Sequence, residues 1–488
     1  MAEKNPSASK IFAGKLEEPW DVKDMPKWPG WAAMFGPGLV WAGLSQGSGE
    51  LIWWPYMVAK YGTYFLGWMF IWASLQYWVN LEIARYSIAT GESIYEGFHR
   101  IHHLFGWLIF VMVIIVSFWI GGYISAGATA LKELTHFPPG WSDKAQTHFW
   151  AELCLIIVFI LFLLGPVAYR VVEIVESIAA IASFFGMLIV VIAAPAVRAV
   201  AGEFFAALFT PHIPITPPNW DPADAGKLVT LICYTGAGGF WNLYYSFWVR
   251  DKNAGMSALI GRVTSPITGK PEPIPGVGVA FTEKDVDEWR AWMRWLWCDN
   301  AFGVILNTLT IILTSLLSLG ILHPAGLIPT GFDIVVIQGE WFAELWGATG
   351  RNIFYVLGFF FLADTYLTGL DGISRTVASN IYTNVPQTRK IEYRKLYYIV
   401  VTIFTVIAMY QVIARKPGVL LVLTGVGNML IMCIYCVGLL YLNWFLMPKI
   451  HPAKEKIRPT WIPFIFLLIS TLIFWYVFFV MYLPLQFK

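Results

Sequence analysis

Eleven apolar segments of roughly 20 residues recur along this chain, each long enough to cross a hydrocarbon core about 30 Å thick. They centre near Ser45, Trp72, Ser117, Ile157, Phe185, Gly238, Leu309, Phe360, Thr405, Met432 and Ser470. Hydrocarbon offers no hydrogen bonds, so backbone groups at that depth must be satisfied within the protein, and a helix does this inside one segment. The expected class is therefore an all-α integral membrane protein with about eleven transmembrane helices. Only 13% of the 488 residues are charged, against roughly 25% in a soluble protein.

Lysine and arginine set the expected orientation. With the N-terminus inside, 24 of the 33 fall on the cytoplasmic side, which places the N-terminus in the cytoplasm and, with an odd span count, the C-terminus outside. The stretch Met1–Trp28 is polar and has no apolar run beside a cleavage site, so a retained cytoplasmic segment in the cell (inner) membrane is expected. The net charge of +2 gives no reason to expect nucleic acid, and no sequence feature points to a protein partner besides the lipid bilayer. Cys433 and Cys436 lie three apart, on one helix face, but lack companions for a redox or zinc site and read as small packing residues.

The organisation reads as a cytoplasmic segment (1–30), a first five-helix unit (31–197), a proline-rich outer loop (198–227) and a second five-helix unit (228–447). The second unit holds a cytoplasmic loop at 251–291, and an eleventh helix with the C-terminus occupies 448–488. The end of that loop, Lys284–Trp297, alternates charge with tryptophan and predicts a helix lying along the inner membrane surface.

Each five-helix unit opens with a span broken by glycine: Gly47-Ser48-Gly49-Glu50 in the first, Gly236-Ala237-Gly238-Gly239 in the second. Paired broken spans in corresponding positions of two halves point to a transporter's binding site and to inverted repeats. Gly47, Ser48, Gly49, Glu50, Gly236, Gly238 and Gly239 are thus the first candidate substrate-binding residues, with both helices expected to unwind at their centres.

Charges inside spans are costly and therefore informative. Glu50 directly follows the first break. Asp364, with Thr365 and Thr368 beside it, sits near the middle of the eighth span and has two readings: a proton or second-ion site, or a protonated residue bonded to a neighbouring helix. Asp299, Asn300 and Asn307 line the seventh span. Glu82 has Arg85 one turn away, an ordinary structural pair. All eight histidines fall in loops or at interfaces, which leaves only carboxylates to carry protons through the core. No phosphate-cradling Gly-x-x-x-x-Gly-Lys sequence is present, so ATP-driven pumping has no support. The expectation is a non-enzyme without a cofactor.

Gly36-Pro37-Gly38 entering span 1, the break eleven residues later and Asn242-Leu243-Tyr244 leaving the second break resemble the Nramp family of divalent metal transporters. So do Leu367-Thr368-Gly369 and the stretch Leu420–Met429. The resemblance covers spans 1–10. It implies a LeuT-type 5+5 inverted repeat, a substrate site between spans 1 and 6, and a contribution from Asn428 on span 10. The departures are substantial. The family's Asp-Pro-Gly-Asn aligns with Gly47, Ser48, Gly49 and Glu50, and its Met-Pro-His with Gly239, Phe240 and Trp241. Its acidic proton-route residues align with Ile120 and Tyr123.

Losing the thioether leaves hard donors, and carboxylate and carbonyl oxygen suit harder ions such as magnesium or manganese. Glu50, Asp364 and Asn428 are then the candidate metal ligands, with a divalent cation as substrate and glycine in place of methionine enlarging the site. Alternating access follows from the fold, and proton coupling stays open. Two other readings stand beside this one. A small organic solute such as an amino acid is one, with Gly239 making room beside Phe240 and Trp241. A receptor-like homologue that does not transport is the other.

Overall fold

A computed structural model describes residues 20–31, 36–164, 168–260 and 278–487, and they are overwhelmingly helical. The first span comprises α1 (Pro37–Ser45), a π-helical turn (Gln46–Trp53) and α2 (Trp54–Tyr61). Then come α3 (Met69–Thr90), α4 (Ile94–Ile101), α5 (His103–Ser117) and α6 (Gly121–Thr135), the last two forming one span. The first repeat closes with α7 (Asp143–Leu164) and α8 (Ala168–Ala193). Pro195, which cannot continue the ladder, then turns the chain by 97° into α9 (Pro195–Ala207). The stretch 198–227, expected as a loop, thus begins inside a helix.

The sixth span is split into α10 (Ala225–Cys233) and α11 (Phe240–Asp251). It is followed by α12 (Val286–Leu317), α13 (Gly339–Asn384), α14 (Tyr393–Ala414), α15 (Pro417–Tyr441) and α16 (Trp461–Trp475). Seven helices among the described residues are long and apolar enough to cross a membrane singly, and the bent pair at Ala193 and Pro195 makes an eighth. The remaining expected spans differ for physical reasons. The first and sixth are divided into pieces, and α3 carries Gln76, Asn80, Glu82 and Arg85, all four buried within the protein. The chain is an integral, multi-pass membrane protein.

One further expectation changes. Val286–Trp297 is no surface helix, because it forms the first turns of α12 and buries Trp289, Trp292 and Trp295 against the protein. Its tryptophans recur at intervals of three, the spacing of one helical face. The segment that covers them is N-terminal. Asp21–Val22 (β1) pairs in parallel with Val279–Ala280 (β2), and Pro26 O accepts from Trp292 Nε1 at 2.8 Å. Most of the expected loop, 261–277, lies outside the described residues.

Candidate functional site

At the second break the chain leaves helix geometry after Cys233 and re-enters it at Phe240, with Gly236 (φ 99°) and Gly239 (φ 78°) in left-handed backbone. Such a gap frees carbonyls from the end of α10 and amides from the start of α11. Side chains from three other elements take them up. Gln76 Nε2 on α3 donates to Cys233 O at 3.1 Å, and Tyr435 OH on α15 donates to Gly239 O at 3.0 Å. The Phe240 N–H donates to Asn428 Oδ1 at 2.9 Å, and the Gly236 N–H donates to Glu50 Oε1 at 3.3 Å.

The first break differs from expectation. The chain does not unwind there. It widens into a π-helical turn over Gln46–Trp53, with the Trp54 N–H reaching back to Gly49 O. A π turn carries one extra residue per turn and marks functional sites often. Here two glycines let it nest. A Cβ on Gly47 would stand 2.1 Å from Thr365 Oγ1 on α13, and one on Gly49 would stand 1.8 Å from Tyr234 O. The turn therefore lies backbone to backbone against the broken span, and this aims Glu50 into the gap. The Ser48 side chain lies outside the described residues.

Glu50 is fully buried. Its Oε1 holds the Gly236 amide, while its Oε2 has no hydrogen-bond partner among the described residues. Asn307 on α12 sits beside the carboxylate and turns its amide toward it, while its Oδ1 accepts from Ser45 Oγ. No cation faces Glu50 among the ion pairs of the described residues.

The other expected site residues divide. Asn428 is committed to the break, since Oδ1 caps Phe240 and Nδ2 donates to Tyr234 OH at 2.9 Å. Gly239 opens no space, because a Cβ there would fall 2.2 Å from Asn428 Cγ. The expected enlargement is filled from α15. Trp241 is buried against Phe240, Tyr123 and Tyr244, and its ring packs on the face of Gly369. On α13, Thr365 touches the π turn and its hydroxyl lies 3.0 Å from Leu44 O. Asp364 and Thr368 are buried, and neither Asp364 oxygen nor Thr368 Oγ1 has a partner among the described residues. Among those residues no three His, Cys, Asp or Glu side chains converge as a metal cluster. Glu82 keeps its structural reading, bonded to Arg85 Nε at 3.1 Å and to Asn443 at 2.9 Å.

Sequence reasoning passed over Gln76, Tyr234 and Tyr435, and quoted Asn242 as part of a motif without a role in the site. Asn242 is a hub: Nδ2 donates to Gln76 Oε1 at 2.7 Å, and Oδ1 accepts from Trp41 Nε1 at 3.4 Å. The available signal was Gln76 itself, an uncharged amide side chain near the middle of an apolar span, directly before Tyr77 and Trp78.

Both ends of the broken spans are tied. At one end Asp224, just before α10, accepts from Lys60 and Tyr61 on α2 at 2.7 Å and from Tyr56 at 2.8 Å. Burial opposes ionisation there, but bonds from Lys227 and Lys60 outweigh it and hold the carboxyl below its usual range. At the other end Arg375 on α13 bridges Asp371, at 2.8 Å, and Asp251 at the end of α11.

Solved structures with this fold include three transporters of different kinds. The Eremococcus coleocola manganese transporter, bound to an aromatic bis-isothiourea substituted compound, is similar with a TM-score of 0.60 at 15% identity, over 95% of this chain and 90% of that one. MhsT in complex with L-phenylalanine gives 0.53 at 13% identity, over 94% and 99%. MHP1, a nucleobase-cation-symport-1 family transporter with bromovinylhydantoin bound, gives 0.50 at 12%, over 97% and 95%. No family model and no curated protein matches the chain by sequence. The chain has an all-α, LeuT-type fold of the Nramp-like kind.

Proposed function

We propose that this chain is a secondary transporter that carries a divalent cation by alternating access, with Glu50 as the charged group that meets it. The reading rests on one observation above the others: a fully buried carboxylate at the meeting point of a π turn and a helix gap, with one oxygen unbonded among the described residues. A buried charge demands a partner, and a hard oxygen donor suits magnesium or manganese. A structural neighbour described as a manganese transporter supports the same reading. The organic-solute alternative loses its main support, since Asn428 occupies the room that Gly239 was expected to supply. Orientation follows the lysines and arginines, with the N-terminus in the cytoplasm.

Purified protein in liposomes should take up manganese or magnesium down a gradient, and Glu50→Gln should lose this uptake. Gln keeps the acceptor for the Gly236 amide, so the comparison isolates the charge. Equal uptake by both proteins would refute the ligand role, and absence of flux in either would favour the receptor-like reading.

A further inference from the structure

A cavity of about 950 Å³ opens at the N-terminal end of α12, away from the two breaks. Its walls come from α3, α12 and the linker into α16, and four arginines reach it: Arg85, Arg290, Arg294 and Arg458. Asp287 is the single acidic residue of the described lining. The rest is largely apolar, with Trp289 and Trp297 among it. This combination is unlike a soluble-anion site, which would be polar throughout. It is unlike a lipid groove between spans as well, which would carry no charge.

We infer that this cavity is a binding site for an anionic phospholipid of the leaflet on the arginine-rich side. Guanidinium forks match phosphate oxygens in pairs, and basic pockets between spans on the cytoplasmic side hold acidic head groups. Tryptophan belongs at the head-group level, where one edge is wet and one is apolar. The four arginines are differently engaged. Arg85 is buried, its Nε fixed by Glu82 and its guanidinium 6.0 Å from the Trp289 ring centroid, so its position is set before any ligand arrives. Arg290, Arg294 and Arg458 are exposed, and the only ion pairs described for them are surface pairs of Arg290 with Asp287 and Arg458 with Glu455. Such pairs exchange readily for a phosphate. The volume suits a head group with the start of its acyl chains. The site gives the eleventh helix a role: the linker that leads into it supplies Arg458 and the third wall.

The test is thermal unfolding of the purified chain in detergent, with added phosphatidylglycerol, phosphatidylcholine or inorganic phosphate, together with the amount of each lipid that co-purifies. Phosphatidylglycerol should stabilise the protein and be retained, while the other two should not. Arg290→Gln, Arg294→Gln and Arg458→Gln lie on the surface and should fold normally. Each should weaken phosphatidylglycerol binding about fivefold, and Asp287→Asn should strengthen it. Equal stabilisation by phosphatidylcholine, or indifference to all three arginine variants, would overturn the site. Reproduction of the effect by inorganic phosphate would assign it to a free anion instead. Metal uptake by these variants should stay unchanged, so failure here is separable from failure of the transport reading.

Discussion

Glu50 and Gly236 stand 186 positions apart and meet through a 3.3 Å hydrogen bond from the glycine amide to the carboxylate. The bond joins the wide turn of one repeat to the open gap of the other. It leaves the other carboxylate oxygen without a hydrogen-bond partner among the described residues. A carried cation would find a donor already aimed, and the backbone beside it is held by Gln76, Tyr435 and Asn428 rather than left to the ion.

Glu50→Gln should separate function from folding. Uptake is expected to fall at least about tenfold, the loss typical when even a supporting group of a metal site is removed. Thermal stability should not fall, because Gln matches the carboxyl group in size and the Gly236 amide keeps its acceptor. A variant that unfolds at lower temperature and transports normally would contradict both halves.

Asn428→Ala orphans the Phe240 amide at the head of α11 and releases Tyr234 OH. Leaving a buried donor without a partner costs about 1–3 kcal/mol beyond the bond itself. Tyr435→Phe should act similarly by freeing Gly239 O. The two bonds secure adjacent residues, so the double variant should lose less than the sum of the two single losses. Thermal melts of the four proteins in one detergent give the cycle.

Gly47→Ala should collapse the seat of the π turn on α13. Its added carbon would meet Thr365 Oγ1 at 2.1 Å and Phe361 O at 2.6 Å. Trimming Thr365 to alanine removes only the first clash, since the second involves backbone, so the double variant should remain poorly folded. Recovery of monodisperse protein from detergent would measure this, and full rescue by Thr365→Ala would disprove the packing argument.

Acid should weaken the fold between pH 6.5 and 4. His451 is buried beside Phe281 and Trp20, and its Nδ1 accepts from the Ala453 N–H at 3.1 Å, while Nε2 faces Ala89 O at 3.3 Å. Burial pushes its folded pKa down to about 4, against about 6.5 unfolded. The neutral form is thus the folded one, and its contribution is complete above pH 6.5 and lost as pH falls toward 4. At pH 5 the loss is about 2 kcal/mol. His99, also pushed down to about 4 by burial, adds a similar loss. Melting temperatures at pH 7.5 and 5.0 should therefore diverge, and His451→Phe should remove about half of the difference.

The apolar segments were legible because hydrocarbon imposes one solution on the backbone. The gap at Gly236–Gly239 was legible too, since consecutive glycines there end a helix that no local side chain can restart. Gly47 and Gly49 gave the same signal for another outcome, because a glycine pair serves equally to break a helix or to let one press against its neighbour. Only Thr365 and Tyr234, both distant in sequence, decide between these. The caps from Gln76, Tyr435 and Asn428 were unreadable as a set for a related reason: each bond spans 157 to 196 positions and leaves no local pattern.

Arg375 fastens α11 to α13, and Asp224 fastens α10 to α2, so the non-helical stretch 234–239 is the coupling between two anchored helices. Torque applied at one mouth of the molecule would be absorbed in that coupling before reaching the other. In the transport cycle proposed above, one mouth would then open while the opposite one stayed shut.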